Sequence, residues 1–339
     1  MKKSAYEQAG VSIDRGNEAV DRIKSMVKRL GVQEIGKFGG FFPLKGGIKN
    51  PILVSSADGV GTKLKIAFLT GIHNTIGCDL VNHCVNDILV SGARPLFFLD
   101  YLASGRVEPG IVSEVISGVL DGCLENEMVL LGGETAEMPG FYQEGEYDIA
   151  GFIVGIVGRE SVVDGKTICK GDLLVGLPST GLHTNGYSLA RHIVFEKLHM
   201  KTSSTVSELA APIGEELLRV HRSYLKPVQA LLEKKLLKGM AHITGGGLPE
   251  NIPRILPEST AVVIEKTWPV PPLFSFLVQA GNISQAERYR VFNMGIGMVL
   301  VIEPRNLSAL EASLKKINEE FFLIGQVTEN KGGERVRIK

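Results

Sequence analysis

The chain has 339 residues, 44% of them hydrophobic, and 37 basic side chains balance 37 acidic ones to a formal net charge of zero. That length predicts two domains rather than one core. The balanced, interspersed charge excludes the one-sided basic footprint of a nucleic-acid or membrane-surface protein. Asp14 to Leu30 predicts an amphipathic helix, with Ile13, Val20, Ile23, Val27 and Leu30 on one side and Asp14 as its cap. A Gly-rich loop, Gly36 to Phe41, follows. Residues 52–56 predict a strand running into Ala57-Asp58-Gly59-Val60-Gly61-Thr62. Helices are expected at 62–70 and 75–91, a strand at 96–102, a helix at 110–126 and a strand at 128–132. Residues 149–158 alternate Gly with Ile, Val and Phe, as suits a strand with close backbone neighbours. Asp164-Gly165-Lys166 and Lys170-Gly171-Asp172 punctuate a polar link, dividing the chain into domains 1–166 and 167–339. The second half predicts helix 187–198, one long helix 213–236 read as scaffold, strand 260–264, helix 272–280, strand 296–302, helix 306–319 and strand 321–327. Without a clean βαβ alternation, the expected class is α+β in two lobes.

Met1-Lys2-Lys3 leads into polar Ser4 to Gln8 instead of an apolar signal core, and no apolar run reaches the ~20 residues of a membrane span. Cys78, Cys84, Cys123 and Cys169 lack metal-finger spacing. A cytoplasmic protein with reduced thiols is expected.

Thr75 to Pro95 is the most informative stretch. At ~100° per residue, Leu80, Val81, Cys84, Val85, Ile88 and Leu89 share one helix face, and Asp79, Asn82, His83, Asn86 and Asp87 share the other. No Lys or Arg occurs from Ile66 to Ala93. Solvated faces mix both charge signs because i,i+4 ion pairs stabilise them. This face is either exposed and short of lysine, or it receives a cation from elsewhere. Mg²⁺ carried by a nucleotide is such a cation, since it prefers a few carboxylates plus phosphates and water. Asp58, at a strand end beside Gly59-Val60-Gly61-Thr62-Lys63, and Glu134, after Gly132-Gly133, extend the acidic constellation. Neither GxxxxGK[ST] nor GxGxxG is present, so a nucleotide would need another architecture.

Several stretches resemble one family. Ser55 to Lys63 looks like its first acidic signature, and Asp87 to Pro95 is similar to the D-x4-G-A-x-P motif of the aminoimidazole-ribonucleotide-synthetase superfamily. Gly132 to Gly140, Tyr6 to Val11, Gly181 to Ser188 and His242 to Gly247 resemble the cyclo-ligase branch, over about residues 5 to 338. A thiamin-monophosphate kinase or selenophosphate synthetase would share Asp58 and Asp87, but the latter's N-terminal reactive cysteine is missing here. The resemblance implies a two-lobed subunit whose N-terminal sheets join in a barrel as a homodimer. It also implies Mg-ATP near that interface, and formylglycinamidine ribonucleotide as substrate. It assigns Asp58, Asp87 and Glu134 to the metal and triphosphate, with Asp79 added from its helical face. Lys24 matches a lysine associated with ATP. Gly39 and Gly40 match a segment folding over the nucleotide, beside Gly59, Thr62 and Lys63. Ala57 stands where the family often has Thr.

For the chemistry, His183, in Ser179 to Gly186 just before a helix, is the first choice for proton transfer or for contacting the formamide oxygen; a structural loop histidine is the alternative. Asn185 is expected on the same substrate. His242 precedes Gly245-Gly246-Gly247, a loop entering a helix, assigned to the ribose phosphate.

Overall fold

A computed structural model describes residues 11–29, 39–44 and 46–339. The expectations for residues 1–10, for Leu30 and for Gly36 to Phe38 lie outside the described residues. In the N-terminal half the elements are α1 (Ile13–Arg29), β1 (Pro51–Gly59), α2 (Leu64–Thr70), α3 (Asn74–Leu89), β2 (Arg94–Ser104), α4 (Pro109–Glu125), β3 (Val129–Glu137) and β4 (Tyr147–Gly158). The four strands form one sheet in the order β1-β4-β2-β3, in which only β2 and β3 run parallel.

Helices α3 and α4 cover one face of this sheet. They approach closely because their contact is made of glycine: a Cβ at Gly118 would lie 2.0 Å from the Asn74 carbonyl. In β4, a Cβ at Gly151 would lie 2.3 Å from the Phe98 ring, which accounts for the glycine-alternating pattern there. The apolar side of α3, from Leu80 to Leu89, is fully buried against the sheet and α4. The opposite sheet face presents Leu53, Tyr101 and Phe152 at 57, 36 and 45% exposure. Glu137, at the end of β3, accepts the Ser12 and Val107 amides at 2.5 and 2.8 Å and pairs with Arg15, which pins the start of α1.

The C-terminal half contains β5 (Leu173–Pro178), α5 (Tyr187–Arg191), α6 (Ile213–Leu217), α7 (Leu225–Glu233), β6 (Leu237–His242), α8 (Gly247–Asn251), β7 (Thr260–Ile264), α9 (Pro272–Gly281), α10 (Gln285–Val291), β8 (Ile296–Ile302), α11 (Leu307–Lys316), β9 (Phe322–Glu329) and β10 (Val336–Ile338). Its strands make a second sheet, β10-β7-β9-β5-β8-β6, with a buried β8 at its core. Among the described residues the architecture is mixed α/β with two sheets. Strands 260–264 and 296–302 fall where the sequence predicts them.

Helix 213–236 does not. It is broken into α6 and α7, with residues 218–224 between them, because side chains of α3 take the backbone hydrogen bonds of that segment. Helix 187–198 also changes character, passing from α5 into a π-helical turn at His192–Lys197.

Asp100 is on the helix-covered face of β2, 7% exposed, in register with Gly151 and Gly133. Burial pushes its carboxyl up to about 7. The unfolded chain ionises it near the ordinary value, so stability is lost as the pH rises from about 4 to about 7 and stays reduced above that. Asp100→Asn should gain stability over the parent across that window, by up to about 4 kcal/mol. Denaturant midpoints recorded from pH 4 to 8 test this, and a pH-independent difference would contradict it.

Candidate functional site at the seam between the lobes

The polar face of α3 is not solvated. Asp79, Asn82, His83 and Asn86 are 0–3% exposed, because segment 218–224 of the C-terminal half lies along them. Lys63, from the turn after β1, is itself fully buried, with Nζ 2.7 Å from both Asp79 carboxylate oxygens and 2.7 Å from the Arg219 carbonyl. The cation that Asp79 needs is therefore the chain's own Lys63. Asp79, expected on the metal, and Lys63, expected beside the nucleotide, here neutralise each other in a site closed to solvent. Burial drives Lys63 down and Asp79 up, and their mutual attraction opposes both shifts.

Two turns along α3 the seam opens. His83 Nε2 lies 2.8 Å from Asp58 Oδ2, and His83 Nδ1 lies 2.6 Å from Thr184 Oγ1. His242 Nδ1 is 2.9 Å from Asp87 Oδ1, while Ser56 Oγ donates to Asp87 Oδ2 at 3.0 Å. One oxygen or nitrogen from each of Asp58, His83 and Asp87 falls within a 4.8 Å span. The Asp58 and Asp87 side chains remain 47 and 25% exposed, so this is where the cluster meets solvent. Burial alone would raise both carboxyls. Hydrogen bonds and charge from His83, and from His242 for Asp87, hold them below the ordinary value. His83 is pulled down by burial but held above its ordinary value by Asp58 and Asp87. For His242 burial wins over Asp87 and its pKa falls.

Behind the carboxylates, His83, His183, His221 and His242 pack ring against ring, with His183 stacked on His221 at 3.9 Å and 16°. His183 is 1% exposed, holds a left-handed φ of 62°, and its Nε2 accepts the Thr180 amide at 3.2 Å. Burial, with His242 nearby, keeps it far below its ordinary pKa. His183, expected to transfer a proton or contact substrate, is thus a buried ring that anchors its own loop through Nε2, while its Nδ1 has no hydrogen-bond partner.

The other expected residues separate into groups. Thr62 Oγ1 meets Ser188 Oγ at 3.1 Å across the seam, and the Gly59 amide donates to Asp58 Oδ1 at 2.7 Å. Asn185 lies beside Gly245, within 3.2 Å of where a Cβ would stand. Asn251 Nδ2 donates to the carbonyls of Thr244, Gly245 and Gly247, and the Gly247 amide donates to the Thr244 carbonyl at 3.0 Å, which together fix the loop. Gly247 is obligatory, since its φ is 58° and a Cβ would lie 1.9 Å from the Tyr289 carbonyl. Helix α8, which this loop enters, is only five residues long, so loop amides rather than a helix dipole would bind an anion there.

Glu134 is not brought to Asp58 and Asp87 within one chain. Asp58 and Asp100 share the Gly151 row on the helix-covered face, whereas Glu134 pairs with exposed Tyr101, one residue out of that row and on the other face. Gly39 is exposed, and Gly40 abuts Leu131 while Phe42 packs on Phe97 at 5.2 Å, over the N-terminal sheet rather than at the seam. Lys24 is exposed on α1, which packs on α4.

Sequence reasoning missed His221, hidden in an apparently continuous helix, and gave no role to His83. The only signal for His221 was the polar interruption Arg219 to Ser223 in an otherwise apolar pattern.

A family model described as AIR synthase related protein, N-terminal domain, matches residues 48–157, and the C-terminal domain model of the same description matches residues 170–338. The phosphoribosylformylglycinamidine cyclo-ligase of Syntrophotalea carbinolica is 51% identical over 336 residues, covering 97% of this chain and 96% of that one. That of Geobacillus thermodenitrificans is 51% identical over 334 residues, with 97 and 96% covered. The chain belongs to the phosphoribosylformylglycinamidine cyclo-ligase family. Among solved structures, thiamine-monophosphate kinase from Stenotrophomonas maltophilia superposes with a TM-score of 0.65 at 17% identity, covering 95% of this chain and 96% of that one. The hydrogenase maturation protein HypE in complex with ATP gives 0.62 at 18%, covering 86 and 79%. These likenesses show a shared fold. No helix of the described residues is long and apolar enough to cross a membrane.

The buried pair makes a stability prediction. Lys63→Met strands the Asp79 charge and should cost about 3–5 kcal/mol. Lys63→Met with Asp79→Asn, which keeps an acceptor for the His221 amide, should recover more than half of that in thermal unfolding. Equal destabilisation of the single and double variants would contradict the pairing.

Proposed function

We propose that the seam closes an imidazole ring, converting formylglycinamidine ribonucleotide and ATP to 5-aminoimidazole ribonucleotide, ADP and phosphate. This is a ligase reaction of de novo purine biosynthesis, which we place in the cytoplasm. The observation carrying the reading is that Asp58, through His83, meets the 183–185 loop and Asp87 meets the 242–247 loop at one seam, in a chain half identical to proteins named for this reaction. The division into domains 1–166 and 167–339 follows as part of it, with nucleotide on the first and substrate on the second.

The formamide oxygen is a poor leaving group. Transfer of the γ-phosphoryl group to it gives an iminophosphate; an amidine nitrogen of the same molecule then attacks that carbon, and the C–O bond breaks with loss of phosphate. Forming the iminophosphate releases the formamide N–H proton to solvent, the proton of the attacking nitrogen leaves on the phosphate, and a proton shift from the ring CH2 to the exocyclic nitrogen completes the aminoimidazole, so atoms and charge balance. Such chemistry asks the protein mainly for positioning and charge neutralisation. Holding the intramolecular attack geometry contributes up to ~7–11 kcal/mol in well-oriented systems.

Asp58 and Asp87 suit Mg²⁺: both are carboxylates, both are partly exposed, and both are held ionised by histidines behind them. When bound, Mg²⁺ would neutralise triphosphate charge. Gly59 and Thr62 line the nucleotide side of the seam. Asn185 and the loop Gly245 to Gly247, with the Gly247 amide already bonded to the Thr244 carbonyl, would take the substrate side and its ribose phosphate. The ATP in the HypE complex belongs to that protein, and its shared fold supports a nucleotide here. The apolar sheet face carrying Leu53, Tyr101 and Phe152 supports a homodimer in which two such faces close a barrel. Glu134 and Gly40 would then lie at that interface.

Supplying formylglycinamidine ribonucleotide with Mg-ATP should yield 5-aminoimidazole ribonucleotide and one phosphate per turnover; no product from folded protein would overturn the assignment. Asp87→Asn should lower kcat at least 100-fold and weaken Mg-ATP in calorimetry, and unchanged affinity would remove Asp87 from the nucleotide site. In analytical ultracentrifugation the parent should be a dimer and Phe152→Asp a monomer. A monomeric parent at micromolar concentration would contradict the barrel.

A further inference from the structure

Segment 218–224 has no regular structure of its own, and α3 supplies its hydrogen bonds. Asp79, Asn82 and Asn86 stand at i, i+3 and i+7, one stripe of the helix. Asp79 Oδ1 accepts the His221 amide at 2.7 Å, and Asn82 Nδ2 donates to the His221 carbonyl at 2.8 Å. Asn86 Nδ2 donates to the Arg222 carbonyl at 2.9 Å, and its Oδ1 accepts the Tyr224 amide at 2.9 Å. Lys63 Nζ adds the Arg219 carbonyl at 2.7 Å.

Asn86 also reaches the His221 ring, with Nδ2 3.2 Å from Nε2. The two backbone partners fix which end of the amide is oxygen and which nitrogen, so the nitrogen is the end beside the ring. His242 Nδ1 donates to the Asp87 carboxylate, which leaves His242 Nε2 as an acceptor, so the His221 ring proton belongs on Nε2, and His221 Nδ1 faces Thr184 Oγ1 at 3.4 Å. Burial, which holds His221 far below its ordinary pKa, keeps the ring to one proton. The ring so fixed stacks on His183, and its Nε2 lies 3.1 Å from Nε2 of His242, the partner of Asp87.

We propose that Asn86, together with Asn82, Asp79 and Lys63, positions His221, and that His221 in turn sets the placement of His183 and His242 and of the loops they begin. His221 is a positioning residue: fully buried, it touches no substrate. Lys63 ends the turn that starts at Asp58, so the nucleotide-side turn and the substrate-side loops share one rigid element. A strip that merely glued the lobes together would need neither a defined tautomer nor contact with the ring.

Two measurements test this, and only the second rests on the ring-closing reaction proposed above. Long-range ¹H–¹⁵N spectra of the wild-type protein, with His221 assigned by its loss in His221→Gln, should show the Nε2–H tautomer, donating to His242. An Nδ1–H tautomer would overturn the proposal whatever the reaction is. Steady-state kinetics of Asn86→Leu should then show kcat lowered at least 30-fold with KM for ATP and substrate within 3-fold. Cys84→Ala, on the opposite face of the same helix, should lose stability and keep kcat within 3-fold of the parent. An Asn86→Leu kcat matching that of Cys84→Ala, or a raised KM at unchanged kcat, would reduce the strip to a structural one. If Asn86→Leu does not fold, the wild-type tautomer decides alone.

Discussion

The seam depends on one constraint: a helix face made of acids, amides and one histidine has been taken out of water, and each of its polar groups must find a partner. An unsatisfied buried donor or acceptor costs about 1–3 kcal/mol, and more when charged. Three residues of α3, Asp79, Asn82 and Asn86, have that demand met by backbone amides and carbonyls of a single segment of the other lobe, and His83 is met by Asp58 and Thr184. The match is reciprocal. Segment 218–224 gives up helical hydrogen bonding, and α3 returns the bonds it would have made. Neither surface is stable alone in a dry environment, which is why the two halves are held in one arrangement.

The chemistry of the site follows from where that seam ends. Deep in it, Lys63 and Asp79 neutralise each other. Near its mouth, Asp58 and Asp87 keep one side in solvent and rest on histidines on the other. Histidine contacts hold the carboxylates ionised without spending lysines or arginines on them, so their charge remains available to a cation. The opposite face of the N-terminal sheet is a different kind of surface, apolar and carrying Glu134, and alternation along β3 separates the two chemically.

Much of this was legible beforehand, for identifiable reasons. Strands β7 and β8 were found where expected because continuous apolar runs bounded by turn residues have few alternatives. The two faces of α3 were assigned correctly because periodicity depends only on helix geometry. Helix 213–236 was misread because Leu217, Leu218, Tyr224, Leu225 and Val228 keep a helical spacing through a segment that is not helical. Those residues are buried all the same, and burial was what the spacing reported. His183 illustrates a second limit: a histidine in a glycine-rich loop looks catalytic from the sequence, while its ring direction is set by a left-handed backbone and a stacking partner from elsewhere.

The sequence by itself determined the acids, amides and glycines, their spacing along each element and the family to which they belong. These are properties of composition and local period, and they survive without knowledge of any contact. Tertiary structure alone decided what each polar group faces. It matched Asp79 with Lys63, gave Asp58 and Asp87 to histidines, and sent Glu134 to the far side of its sheet. It also drew His221 out of an expected helix. The reason is that a hydrogen bond across a seam depends on two surfaces meeting, and neither stretch of sequence carries the geometry of the other.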